Sequence, residues 1–152
     1  MEYSRSLSRL QRLCSKAEYC RADIYRKALK DLDGDASEAA RLVDELVRDR
    51  YVDDSRYASA FAREKASLQG WGPVKIRFQL KAKGVSDADI TAALEEIDST
   101  AADARLERLL AAKARTLEGD PRFRLKLLKF GLSRGYEYSQ VEDALCSVLK
   151  RD

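Results

Sequence analysis

The chain is predicted to be all-α, built as three tandem three-helix repeats, and three observations carry that prediction. Ala, Leu, Lys, Arg and Glu are abundant, while 152 residues hold only 7 Gly and 2 Pro, a composition rich in helix formers and poor in helix breakers. Three segments share one apolar spacing: Ala39, Leu42, Val43 and Leu46; Ile90, Ala93, Leu94 and Ile97; Val141, Ala144, Leu145 and Val148. Each set falls at i, i+3, i+4 and i+7, the apolar face of an amphipathic helix. The step between sets is 51 residues at every position (39 to 90 to 141). Three units of residues 1–50, 51–98 and 99–152 therefore tile the chain, and each, short of apolar residues, is expected to lean on its neighbours.

The first unit opens with a helix over Ser4 to Lys16. Leu7, Leu10 and Leu13 or Cys14 line one side of it, and Arg5, Arg9, Arg12 and Lys16 the others. A second helix from Arg21 to Leu32 turns Ile24, Ala28 and Leu29 inward, Asp33-Gly34-Asp35 supplies a turn, and a third runs from Ser37 to Arg48. The second unit carries the most distinctive stretch, Tyr51 to Gly84, with the single Trp. Asp53 or Asp54 caps its first helix, where backbone amides lack partners and the dipole favours negative charge. Gly70-Trp71-Gly72 ends that helix and Pro73, needing no amide donor, begins the next.

Along Pro73 to Lys83, Ile76 and Leu80 form one apolar stripe; Val74, Phe78 and Ala82 form another, which faces either a neighbouring unit or a separate protein. Gly84 closes this helix, and Ser86 with Asp89 has capping-box-like spacing for the one after. The third unit repeats the plan: a helix from Thr100 to Leu117, the turn Glu118-Gly119-Asp120-Pro121, a basic helix, Gly135, and a terminal helix capped from Ser139 with Glu142.

Charge is distributed in stripes. Lys75, Arg77, Lys81 and Lys83 mark the middle helix of the second unit, and Arg122, Arg124, Lys126, Lys129 and Arg134 mark that of the third. From Val85 to Ala104 there is no Lys or Arg, only the acids Asp87, Asp89, Glu95, Glu96, Asp98 and Asp103. Such stripes suit nucleic-acid phosphates, a polar protein partner with complementary potential, or simply a solvated face. Trp71 suits packing over the helix junction or anchoring an interface.

The chain contains no His, which removes the usual general base and the commonest neutral metal ligand. Adjacent acids such as Asp53-Asp54 and Glu95-Glu96 point apart on a helix and read as caps or solvated residues, so neither metal nor cofactor is expected. Cys14, Cys20 and Cys146 form no Cys-x-x-Cys motif, and their odd number fits a reducing compartment, the cytoplasm. No apolar run approaches about 18 residues, so no membrane association is expected.

The run Tyr51-Val52-Asp53-Asp54-Ser55-Arg56-Tyr57-Ala58, followed by Gly70-Trp71-Gly72-Pro73-Val74-Lys75-Ile76-Arg77 and Leu80-Lys81-Ala82-Lys83-Gly84-Val85, resembles the core signature of the RecX family. That resemblance implies tandem three-helix repeats forming an elongated, curved molecule. It also implies a non-enzymatic regulator that binds in the groove of RecA filaments on single-stranded DNA. Such a regulator dampens ATP hydrolysis, strand exchange and the co-protease activity behind the SOS response. The matched positions Asp54, Arg56, Tyr57, Gly70, Ile76, Leu80 and Gly84 serve architecture more than contact.

Where the family often carries Gly before the residue preceding the two aspartates, this chain has Arg50 before Tyr51. Lys75, Arg77, Lys81 and Lys83 with Arg122, Arg124, Lys126 and Lys129 are the expected partner-binding set. RecA and its filament are the expected partners, with weak direct DNA contact, and the chain is expected to be a monomer. The alternative is an independent DNA-binding helical-repeat protein; a plain scaffold is a further reading.

Overall fold

A computed structural model describes residues 1–150, and among these are nine α-helices and no strand. They are α1 (Tyr3–Lys16), α2 (Arg21–Asp31), α3 (Ala36–Arg48), α4 (Asp54–Ser67), α5 (Pro73–Ala82), α6 (Asp87–Glu95), α7 (Ser99–Thr116), α8 (Phe123–Ser133) and α9 (Tyr138–Lys150). Their bounds follow the 51-residue step. Helix α4 starts and ends one step after α1 (3 to 54, 16 to 67), and α8 and α9 start and end two steps after α2 and α3 (21 to 123 and 31 to 133; 36 to 138 and 48 to 150).

Helix α5 starts one residue after the in-register 72, and α6 and α7 depart further for local reasons. Helix α6 starts in register but ends at Glu95, leaving Ile97 in a turn whose amide donates to the Leu94 carbonyl at 3.2 Å. Leu94 and Ile97 are accordingly half-buried, while the other ten residues of the three apolar faces are buried. Helix α7 begins at Ser99 rather than at the in-register 105, because Asp98 accepts from the amides of Thr100 (3.0 Å) and Ala101 (3.3 Å) and caps it early.

Capping also resolves other boundaries. Asp53, not Asp54, caps α4, its Oδ1 accepting from the Arg56 amide at 3.1 Å. Asp54 instead accepts from the Arg21 amide at 2.8 Å and so satisfies the first turn of α2. Ser86 Oγ accepts from the Asp89 amide at 3.2 Å, as its spacing implies. The expected cap at Ser139 is incorrect. Helix α9 starts one residue earlier, with Gln140 Oε1 reaching back to the Glu137 amide at 2.9 Å; Glu142 pairs with Arg124 at 3.2 Å instead. A glutamine at the third helical position makes that reciprocal bond as a glutamate would.

The chain divides into two compact units, Met1–Ala60 with Leu80–Ala93, and Phe61–Gln79 with the residues from Leu94 on. In the first, Leu10, Ile24, Ala28, Leu42, Leu46 and Val52 form the centre of the core. Cys14 and Cys20 are buried there, and burial raises both thiols above their ordinary range. Ser6 is fully buried, with its hydroxyl donating to Asp31 Oδ2 at 2.8 Å, and the same oxygen takes Arg9 Nη2 at 2.8 Å. The second unit centres on Leu106, Leu110, Leu127, Val141, Leu145 and Val148.

The helix ends repeat as well. Asp33, Gly84 and Gly135, spaced by the same step, follow α2, α5 and α8 with left-handed φ of 56°, 79° and 93°. Arg50, at φ 64°, does the same after α3. The Arg50 amide bonds the Val47 carbonyl (3.1 Å) and the Tyr51 amide the Leu46 carbonyl (2.9 Å). The helix therefore ends in a Schellman motif without glycine, at a cost of about 1 kcal/mol for the left-handed side chain.

Tyr57, on α4, is pushed up to about 12, first by burial and then by the neighbouring Cys20, Asp23 and Asp54. An unfolded tyrosine ionises near pH 10. Its contribution to stability is therefore whole below pH 10 and is lost as pH rises toward 12. Urea unfolding midpoints measured from pH 8 to 12 should fall across that window, and Tyr57→Phe should flatten the fall. An unchanged slope would mean that Tyr57 ionises alike in both states.

Candidate partner-binding surfaces

The Gly70-Trp71-Gly72 break lies in the second unit, where backbone meets backbone. The Gly72 amide donates to the Arg134 carbonyl at 2.8 Å and the Val74 amide to the Gly135 carbonyl at 2.9 Å. A methyl on Gly72 would press on the Gly135 carbonyl and come within 2.5 Å of the Tyr136 nitrogen; one on Gly135 would overlap the side chain of Lys75. Only glycine fits at either place. The Arg134 guanidinium donates to the Gln69 carbonyl, and the buried Tyr136 hydroxyl donates to the Gly70 carbonyl at 3.2 Å.

Trp71 packs over this junction. Its ring meets Phe61 edge to face with centroids 6.2 Å apart, while the ammonium groups of Lys65 and Lys75 lie 5.1 and 4.4 Å from its centre. Each cation–π contact of this kind contributes about 0.5–1 kcal/mol.

The basic residues expected to face outward divide into two kinds. Lys75 is half-buried, held over Trp71 and against Gly135. Lys83 is half-buried as well, its ammonium 3.0 Å from Asp23 Oδ2 in the first unit. Burial pushes the Asp23 carboxyl up, but its bonds with Lys83 and Cys20 and the charges of Lys83 and Arg26 outweigh that and hold it below the ordinary carboxylate range. Those two lysines thus hold the fold together. Arg77 is half-buried, and Lys81 is exposed with Asp87 at 3.4 Å.

On and beside α8, Arg124 pairs with Glu142 at 3.2 Å and Lys126 with Asp120 at 2.5 Å, whereas Arg122 and Lys129 are exposed without an ion pair among the described residues. Exposed pairs of this sort add little stability and leave their charges accessible.

What charge counting underrated is apolar. Val74 and Phe78 on α5 are 50% and 69% exposed, and Ala82 is exposed too, so this stripe is open to solvent. One 51-residue step on from Val74, Phe78 and Lys81 stand Leu125, Lys129 and Leu132 of α8, with the two leucines 47% and 39% exposed. Both middle helices therefore present the same face, a row that mixes apolar and basic side chains, with no Asp or Glu between Pro121 and Tyr136. Among the described residues, no three Cys, Asp or Glu side chains gather as a metal-binding group, and no helix is long and apolar enough to cross a membrane.

Arg134, Tyr136 and Asp23 were not singled out as site or motif residues. Arg134 was within reach, because it stands one step after Lys83, and both follow directly on the last turn of a middle helix.

Comparison with known proteins gives this architecture its family. Residues 53–94 match the family model described as RecX, second three-helix domain. A regulatory protein RecX of Chromohalobacter salexigens is 34% identical over 136 residues, covering 88% of this chain and 86% of the relative. The chain belongs to the RecX family.

A regulatory protein RecX of Haemophilus ducreyi is 32% identical over 126 residues, covering 82% of this chain and 80% of its own length. The crystal structure of RecX from Lactobacillus salivarius superposes with a TM-score of 0.86 at 19% identity and covers 96% of both chains. A second crystal structure, of a regulatory protein RecX, gives a TM-score of 0.83 at 24% identity over 92% of this chain and 70% of that one. These two structural likenesses bear on the fold, which is the RecX fold.

Proposed function

We propose that this chain is a non-enzymatic regulator of the RecA recombinase, acting in the cytoplasm as a monomer on RecA and on its filaments with single-stranded DNA. In this reading it is built of three three-helix repeats, residues 1–50, 51–98 and 99–152, with weak direct DNA contact beside the protein contact. Its chief effect is inhibition of ATP hydrolysis, strand exchange and the SOS co-protease. Membership of a family whose curated members are named regulatory proteins supports the regulatory role.

One observation carries the choice of surface: the uncovered apolar–basic rows of α5 and α8. Apolar anchors that exclude water, flanked by cations, are what a protein interface requires, and acidic filament surfaces would supply the complement. Lys81, Arg122, Arg124, Lys126 and Lys129 then act as rim charges; Lys75, Arg77 and Lys83 position the helix that carries Val74 and Phe78.

The test is RecA-catalysed ATP hydrolysis on single-stranded DNA, titrated with this protein. Hydrolysis should slow at fewer than one regulator per RecA protomer. A rate that stays level through that titration would remove the reading.

A further inference from the structure

Helix α1 carries a row of cations on one open face, most of them without an ion-pair partner among the described residues. Ser4, Arg5, Ser8, Arg9 and Arg12 are all exposed and line one open depression along the helix. No Asp or Glu occurs from Tyr3 to Ala17. Arg9 is held by Asp31, but Arg5 and Arg12 have no ion-pair partner among the described residues, and the hydroxyls of Ser4 and Ser8 have no hydrogen bond there. The apolar side of the same helix is spent on the core through Leu10 and Cys14.

We infer that this face of α1 is a contact surface for the phosphodiester backbone of a nucleic acid, with Arg5 and Arg12 neutralising phosphates and Ser4 and Ser8 donating to phosphate oxygens. The chemistry of the row selects among polyanions. An acidic protein surface would need a buried apolar or aromatic anchor, and apart from Met1 the row has none. A membrane-lying helix needs an apolar face for the lipid, and that face is in the core. Phosphate contacts need only donors, and they carry position rather than sequence. Arg5 and Arg12 stand seven positions apart, about 10 Å along the helix, which matches roughly three nucleotide steps along one strand of a duplex at ~3.4 Å each.

The inference deepens the filament reading, on which it rests only for the expectation that DNA lies beside the protein partner. Its test is therefore run without RecA, so that each reading can fail alone.

The full chain is titrated against a fluorescent single-stranded oligonucleotide, by anisotropy, from 50 to 200 mM NaCl. Binding should be weak, in the non-specific range of about 1–100 μM, and should fall several-fold over that salt interval, as expected for about two neutralised phosphates on a single strand. Arg5→Ala with Arg12→Ala should weaken it about tenfold and nearly abolish the salt dependence. Ser4→Asp with Ser8→Asp should do the same by repulsion, which guards against a folding effect of either pair; the circular dichroism of both should match the parent. A duplex should bind with a similar or steeper salt slope.

Parental binding by both variant pairs would overturn the assignment. Equal binding of polyglutamate would also overturn it, in favour of an acidic protein. Stronger binding to phosphatidylserine vesicles than to the oligonucleotide would overturn it in favour of a membrane surface. A double-arginine variant that loses the oligonucleotide yet still slows RecA would support two separate surfaces.

Discussion

Replacing Gly135 with alanine is expected to destabilise the protein by about 3 kcal/mol or more. Two penalties combine there. The backbone is left-handed, at φ 93°, which costs a side chain roughly 1–2 kcal/mol. The new methyl also overlaps Lys75, whose backbone nitrogen would lie 2.9 Å away, and forced overpacking adds about 1–3 kcal/mol.

Gly119 separates the two terms. Its φ of 83° is equally left-handed, but nothing lies within 4 Å of an added methyl, so Gly119→Ala should cost only the backbone term. Gly72→Ala supplies the complement, a steric clash at a position without positive φ. Urea unfolding of the three variants checks the ranking. If Gly135→Ala and Gly119→Ala cost the same, the close docking of residues 72–75 on 134–136 is wrong.

That docking was the part least legible in the sequence. The helices could be read because apolar spacing is local: the faces at 39–46 and 141–148 are each complete within one helix, and every residue of both is buried. Caps were legible where a single side chain serves its own helix, as with Asp53 and Ser86. Where two neighbours could do the same work, spacing did not choose, and Asp54 turned out to serve α2.

The role of Gly72 depends on residues some sixty positions later, and no local pattern announces a backbone carbonyl at that distance. The basic set shows the same limit. Lys75 and Lys83 read as outward because they are charged and lie on an amphipathic helix, but the partners that claim them, Trp71 and Asp23, are a matter of tertiary packing. Exposure of the apolar row ran the other way: Val74 and Phe78 have core composition, and only the assembled chain leaves them uncovered.

The partner face should therefore respond most strongly to changes at its apolar positions. Reversing all of Lys75, Arg77, Lys81 and Lys83 confounds contact with folding, since Lys75 seals the junction and Lys83 satisfies the half-buried Asp23. Phe78→Asp and Leu125→Asp touch neither. Phe78 is 69% exposed, so its loss leaves the core intact and the unfolding midpoint near that of the parent. If these side chains are the anchors of the interface, each is worth about 2 kcal/mol, or roughly thirtyfold in the concentration that half-inhibits RecA ATP hydrolysis. Lys81→Glu and Lys129→Glu, at exposed rim positions, should cost several-fold less and mainly at low salt, because screening weakens solvent-exposed charges. The reverse ranking, with charge changes dominant and Phe78→Asp silent, would place the interface on polar surface and leave the uncovered row of α5 and α8 without a partner.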